Sequence, residues 1–518
     1  MNILIVTGKK AQPTVQEAIE RVSHKLAYTP ILKILDLEVA AFITPKRLER
    51  IIAESNETFD LILIPGLITA DFSSIEKQYN TSVRLGPKNA RDLDMILPQL
   101  PDAKLSKTIP ACVLLLQAHE HEARETLRQF ESVAGSAFSL KNRKIGKNSL
   151  MKVVSEIVDA TQMDDKTLTE RIQYLESQGC DVIDLGCSLD ATPAQVTHTV
   201  SITKAITIAI AKSKPSNTAL IPISIDTLHP ELIIAALDAG VDLMLSISSD
   251  NVDAVAPTIA KKNAAAVVIY EQDKGFDIFM DTIARARSYG IDKIIADPVF
   301  DPIGQGLVES IARYSHFRQI DKNTPLFLGA GNVTELIDAD SVGVNALCAG
   351  IASELGVHIL FTTEASTKTQ GSTKELTRAA AMMKLAKMRD SPPKDMGIDL
   401  LVIKEKRGRD DMVLPDEKTR AAGEDADLII QAKDELLEYS LDPKGCFTIG
   451  ISRKTGYIIA IHRRSTTIIG KTARNVMDEI LRRELISSIS HGAYLGGELM
   501  RAELAIRFGR SFMQDGDF

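Results

Sequence analysis

Polar side chains that close short apolar runs are the natural places for chemistry, and here they recur. Glu156 and Asp159 follow KVVS, Asp184 sits in VIDLG, Asp226 ends PISID, Ser246 sits in LMLSIS, Asp297 ends IIAD and Asn332 follows FLGAG. An ionised carboxylate accepts two N–H bonds side by side, so carboxylates and amides on one rim suit a flat heterocycle rich in N–H donors, such as a pterin. Taken singly, each aspartate has a plainer use, which is to cap the helix that follows its strand. Carboxylates crowded together raise one another's pKa unless donors intervene. A phosphorylated ligand would add still more negative charge. It therefore requires a cation, either Mg²⁺ on Glu156 or Asp159, or the ammonium groups of Lys368 and Lys374 beyond the last strand.

Other reactive residue types are scattered. His229, His358 and His462 show no H-x-x-x-H spacing, and Cys180 and Cys187 flank one strand, so no structural metal is expected. In HGAYLGGE, His491, Leu495 and Glu498 share one helical face, which makes His491 and Glu498 a separate candidate pair, packed or functional. Near the start, Gly66 and the Gly86-Pro87-Lys88 turn follow or flank strands, with neither G-x-G-x-x-G nor G-K-[ST] around them. Isolated glycines of this kind commonly do no more than end strands.

The polar rim exists only if eight strands end on the same side. Strands are predicted at 152–158, 181–186, 222–226, 242–247, 265–270, 293–296, 325–329 and 357–361, each followed by a helix-length segment. Eight β/α units in about 240 residues match a TIM (β/α)8 barrel, whose site forms at the carboxyl ends of its strands. Gly179, Gly240, Gly290 and Gly356 stand just before strands, where helix C-caps belong. Ahead of the barrel, strands predicted at 2–6, 60–64 and 111–116 alternate with helical periods, giving a small parallel α/β domain of Rossmann or flavodoxin type. Beyond it, polar text around RDSPPKD and KEKRGRDD reads as linker. A strand at 398–403, another at 428–432, a hairpin at 446–462 and one helical period over 475–508 follow. The expected organisation is an α/β protein with domains at 1–145 (parallel α/β), 146–387 (barrel) and 388–518 (linker and α+β domain).

Composition narrows the class. With 518 residues, 44% hydrophobic and 25% charged, the chain is globular and long enough for about three domains. A net charge of −8 argues against nucleic acid as a partner. Five cysteines without C-x-x-C spacing suit a reducing cytoplasm, and neither a signal peptide nor an 18-residue apolar span is read, so no membrane is expected.

The stretches GCDVIDLG, IPISIDT, AALDAGVDLMLSIS and ADPVFDP resemble the pterin-binding superfamily of dihydropteroate synthases and corrinoid-linked methyltetrahydropterin methyltransferases. The whole architecture resembles the dihydropteroate synthase-related proteins of methanogens, and of methylotrophs that use tetrahydromethanopterin. The resemblance implies that Asp226 and Asp297 grip the pterin edge with Asp184 lower in the barrel, that Ser246 stands where an Asn is usual, and that the protein is a homodimer. Synthases place an Asn after strand one, Ser-Arg-Lys after strand seven and Arg-x-His after strand eight. This chain has Glu156 to Asp159, Gly329 to Thr334 and Thr362-Thr363-Glu364 there. Gly329 to Thr334 is similar instead to the methyltransferase Gly-x-x-Asn-Val-Ser stretch, which implies that Asn332 acts beside Asp297 at the reacting nitrogen. Three functions follow from the resemblance: condensation of a hydroxymethyl-dihydropterin diphosphate with an arylamine, methyl transfer from a reduced pterin to a corrinoid carried by a partner, or a pterin-binding scaffold without turnover. The segment 491–498, with Asp442-Pro443-Lys444-Gly445, resembles a small archaeal domain found beside pterin and one-carbon enzymes.

Overall fold

The computed structural model describes residues 2–55, 57–100, 103–213, 220–404, 441–463 and 466–516. It divides into two compact units, 1–400 and 401–518.

The first unit opens with strands β1 (Ile3–Gly8), β2 (Ile31–Leu35), β3 (Leu61–Ile64) and β4 (Ser82–Leu85), all parallel in the order β2-β1-β3-β4. Leu4 and Val6 face one core with Leu48, Ile52 and Ile75, while Ile3 and Ile5 face another with Val15, Ala18, Leu93 and Leu97. The central strands β1 and β3 are covered on both faces, which is why ILIV and LILI read as unbroken hydrophobic runs, whereas the edge strands β2 (ILKIL) and β4 (SVRL) carry polar residues. The strand expected at 111–116 is instead the start of the helix Ala111–Val133. Its run ACVLLL resembles a buried strand over six residues, but Ala111, Leu115, Ala123 and Leu127 bury one face at helical spacing.

That helix leads into a hairpin, β5 (Phe138–Leu140) and β6 (Arg143–Ile145), and then into the barrel. The barrel strands are β7 (Lys152–Ile157), β8 (Val182–Gly186), β9 (Ile223–Asp226), β10 (Leu243–Ile247), β11 (Ala265–Ile269), β12 (Ile294–Asp297), β13 (Phe327–Gly329) and β14 (Ile359–Thr363). All eight are parallel, in the order β12-β11-β10-β9-β8-β7-β14-β13, and the ring closes through the pairing of Ala296 with Leu326. Strand periodicity of two sorts the side chains. Ile157, Leu185, Ile225, Ile247 and Leu360 pack outward against the helices. Val154, Val182, Leu243, Leu245, Val267, Ile295 and Ile359 fill the interior, with Leu140 and Ile145 of the hairpin forming its floor. Gly240 ends its helix at φ 93°, a conformation a side chain disfavours, and donates its N–H to Ala236. Gly179, Gly290 and Gly356 also have positive φ before their strands.

No strand forms at 398–403. Met396 and Ile398 are buried against Ala123, Leu127, Met382 and Leu385, between the helices Ala111–Val133 and Ser372–Arg389, whereas Leu401, Val402 and Ile403 are exposed. This apolar text covers a helix groove rather than pairing with a sheet. The strand expected at 428–432 lies outside the described residues.

The second unit is an antiparallel sheet, β15 (Phe447–Ser452), β16 (Tyr457–His462) and β17 (Thr466–Gly470), carrying the helices Ala473–Arg482 and Ile489–Phe508. The helical period expected over 475–508 is therefore interrupted. Asp442 accepts the amides of Ser487 (2.8 Å) and Ser488 (2.9 Å), and Ser488 caps the second helix. No described helix is long and apolar enough to cross a membrane.

Candidate functional site

Alternation along β7, β8 and β9 turns Glu156, Asp184 and Asp226 into the barrel, and the sheet register stacks Glu156 beside Asp184 and Gly186 beside Asp226. Among the described residues these three form the one His/Cys/Asp/Glu group that could hold a metal ion, with their oxygens within 4.8 Å of one another. Gly186 makes room for the cluster: a Cβ there would lie 2.6 Å from Glu156 Oε1. Asp184 is fully buried. Its Oδ1 accepts the Ser224 hydroxyl at 2.5 Å, and its Oδ2 has no hydrogen-bond partner among the described residues.

Burial, and then the charges of Asp226 and Glu156, hold the Asp184 carboxyl well above its ordinary range. Burial pushes Asp226 up to about 6. Burial, followed by Asp226, Asp159 and Glu335, pushes Glu156 up to about 7. None of the three forms an ion pair with a described residue. Near neutral pH the cluster therefore holds protons and presents both donors and acceptors. Cys187, at the end of β8, is half-buried in the same field, and burial together with Asp184 and Asp226 raises its thiol to about 12.

Asp297 is built into a different part of the rim. It accepts the Val299 amide at 2.9 Å and meets the Tyr314 hydroxyl at 3.0 Å, while that hydroxyl also reaches Phe327 O at 2.6 Å. Burial pushes Asp297 up to about 6. Val299 has φ 63°, strained for a β-branched residue, and Arg313 holds the turn through Pro298 O (2.5 Å), Val299 O (2.7 Å) and Asp301 (2.8 Å), with its guanidinium 4.2 Å from the Tyr270 ring centroid. The buried turn is thus over-determined from the helix Leu307–Ile320, which carries both Arg313 and Tyr314. Single-sequence reading missed both, because their relation to Asp297 is made by the fold.

The other expected residues have specific settings. Asn332 is exposed on the short helix Gly331–Thr334, and its Nδ2 donates to Phe300 O at 3.0 Å. Ser246 is buried, and its carbonyl accepts Asn251 Nδ2 at 3.2 Å. Asp159 is exposed after β7. Lys368 is paired with exposed Asp338 at 2.9 Å, and Lys374 is exposed in the first turn of Ser372–Arg389. Glu335, another residue missed in the sequence, accepts Thr369 Oγ1 at 2.6 Å and Ser366 N at 3.3 Å. Glu364 follows β14, where the resemblance would place the His of Arg-x-His. It is buried, accepts the Gly371 and Thr373 amides at 3.0 Å each, and takes the Tyr174 hydroxyl at 2.9 Å.

His491 and Glu498 belong to the second unit and are both buried there. His491 Nδ1 lies 3.1 Å from Asp442 Oδ2, while Glu498 pairs with Arg501 and meets Asp515 N at 3.4 Å. All of these contacts lie within the second unit.

Comparison with known proteins bears on this geometry. Residues 155–362 match the family described as pterin binding enzyme, residues 441–515 match PterinBD-DUF4346, and residues 1–88 match a family of unknown function, DUF6513. Uncharacterized protein MJ0107 of Methanocaldococcus jannaschii is 33% identical over 545 residues, covering 100% of this chain and 99% of its own. The chain belongs to one family with MJ0107, and its barrel matches the pterin binding enzyme family. Dihydropteroate synthase from Thermus thermophilus in complex with 6HMPPP is 18% identical, covering 45% of this chain and 93% of that one at a TM-score of 0.36. The Yersinia pestis enzyme with a pterine-sulfa conjugate is 19% identical, covering 47% and 95% at 0.36. The pterin binding enzyme match spans all eight barrel strands except the ends of the first and last.

Proposed function

We propose that the barrel mouth binds a reduced pterin and transfers a group at it, by dihydropteroate synthase-like condensation of a hydroxymethyl-dihydropterin diphosphate with an arylamine. The observation that carries the reading is the orphaned, fully buried Asp184 Oδ2 beside Asp226 and Glu156. A buried carboxyl oxygen without a hydrogen-bond partner is costly, and the edge of a pterin, which carries both N–H donors and ring acceptors, supplies a partner in either protonation state. Asp226 and Asp297 are assigned to that edge, with Asp184 beneath and Ser246 and Asn332 along the rim.

In the condensation the arylamine nitrogen attacks the pterin methylene, the C–O bond to diphosphate breaks, and the attacking nitrogen loses a proton. Glu156, which titrates near neutrality, is the group we assign to receive it. Asp159, the charged neighbour of Glu156 on the exposed turn after β7, offers a hard oxygen ligand that fits Mg²⁺, which when bound would offset the charge of the diphosphate and leave Glu156 for the proton and Asp226 for the pterin edge. Lys368 is held by Asp338 and so is not positioned to do this alone. The pterin we assign is of tetrahydromethanopterin type, on the whole-chain resemblance.

The absence of any ion-paired cation at Glu156, Asp184 and Asp226 among the described residues favours a second reading, methyl transfer to a partner-held corrinoid, which needs no diphosphate site. Calorimetry with 6-hydroxymethylpterin tests the shared part: binding is expected, and Asp226→Asn should weaken it at least about tenfold. Absence of binding, or indifference to Asp226→Asn, rejects both readings and the scaffold as well. Diphosphate release then supports condensation, methylcobalamin formation supports methyl transfer, and neither supports the scaffold.

A further inference from the structure

A cavity of about 220 Å³ lies at the carboxyl ends of β1, β3 and β4, outside the barrel. The chain leaves β1 for β2 on one side of the sheet and leaves β3 for β4 on the other. The two crossovers diverge there, opening a crevice at the point where ligands of open parallel sheets bind. Gly66 and the Gly86-Pro87-Lys88 turn, which as sequence looked like simple strand endings, meet at its edge.

The walls are fixed in advance. Gly66 N donates to Pro87 O at 3.0 Å and Gly86 N to Ile64 O at 2.7 Å, and a Cβ at Gly66 would lie 2.5 Å from Gly86 O. Across the crevice, Lys9 N donates to Leu37 O at 2.9 Å, and a Cβ at Gly8 would lie at the same distance from that oxygen. The lining is apolar, with Val6, Val15, Ile64 and Leu93 among its walls and the buried Thr7 also contributing. Lys10 and Lys88 stand exposed on the rim with Glu38. Neighbouring Lys9 is neutralised by Asp36 at 2.6 Å, whereas among the described residues neither Lys10 nor Lys88 is ion-paired.

We propose that this crevice is a second small-molecule site, for a compact flat aromatic or heteroaromatic ring bearing one anionic group. The apolar slot takes the ring, and the two ammonium groups hold the anion at the rim. The anion has two chemical sources, a nucleotide phosphate or an aromatic carboxylate.

Adenosine 5′-monophosphate and indole-3-carboxylate distinguish them, each titrated into the full chain beside its uncharged counterpart, adenosine or indole. Saturable binding of one anion is expected, weakened at least about tenfold by combined Lys10→Ala and Lys88→Ala. Asp226→Asn should leave it unchanged, and the lysine variant should still bind 6-hydroxymethylpterin, which shows that it is folded. The proposal is overturned if neither anion saturates, if the lysine variant binds the anion as well as the parent chain, or if Asp226→Asn removes the binding. Failure here leaves the barrel reading untouched, because its own test uses a different ligand.

Discussion

Glu156 differs from an ordinary surface glutamate because it is stacked on two other carboxyl groups inside a closed ring of strands. Its carboxyl titrates at about 7 rather than 4.5. Below pH 4.5 folded and unfolded chains both hold the proton. Between 4.5 and about 7 only the folded chain holds it, so stability falls as pH rises through that window and levels off above it. Asp226 and Asp297, both raised from 3.8 to about 6, add slopes of the same sign at lower pH. Urea denaturation of the ligand-free protein from pH 5 to 8 should therefore show declining stability, and Glu156→Gln should remove roughly 2 kcal/mol of that decline. An unchanged slope in the variant would mean that Glu156 is not the proton holder. The residue types at this cluster were legible in the sequence as strand-end acids. Their grouping was not, since nothing in one strand states which neighbour it will lie beside. For the same reason Arg313 and Tyr314, which fix Asp297 from a helix, went unread.

At the scale of elements, the eight barrel strands were readable because each is a short apolar run buried on both sides and preceded, at four places, by a helix-ending glycine. The same rule failed at ACVLLL, where six apolar residues open a helix of 23; a short run carries no period, and the amphipathic spacing emerges only over the residues that follow. Loops after strands hold a comparable hidden order. Glu364 joins the end of β14 to the first turn of Ser372–Arg389 by accepting two amides and a tyrosine hydroxyl. Glu364→Ala should leave those buried donors unpaired and cost about 2–3 kcal/mol in unfolding free energy. A loss under about 0.5 kcal/mol would show that water replaces the carboxylate there.

The whole molecule is two units with separate cores, and its second unit depends on one buried knot. Burial alone would raise Asp442, but the Ser487 hydroxyl and the amides of Ser488, Ser487 and Lys444 outweigh it and hold its carboxyl far below the usual range. His491 completes the knot at 3.1 Å. Since Asp442 titrates below its unfolded value, its contribution is present above about pH 3.8 and is lost on acidification. His491→Ala leaves a buried carboxylate short of a donor and empties packed volume. Hydrogen exchange should report faster opening of Ile489–Phe508 in this variant, with the barrel strands and 6-hydroxymethylpterin affinity unaffected. Loss of pterin affinity would instead assign His491 a part in the site.

The hairpin β5-β6 sets a rule of traffic. Because Leu140 and Ile145 seal the end of the barrel opposite the acidic cluster, whatever reaches Asp184 must come in and go out by the same door. A ligand seated on Asp184 and Asp226 lies beneath anything bound at the rim, so the second reactant roofs over the first. Under the proposed condensation, entry is then compulsorily sequential, with the deep ligand first. Steady-state kinetics should show the rim ligand, at high concentration, trapping a deep ligand already bound and blocking entry of the next into empty protein. A random-order pattern would mean that the floor opens.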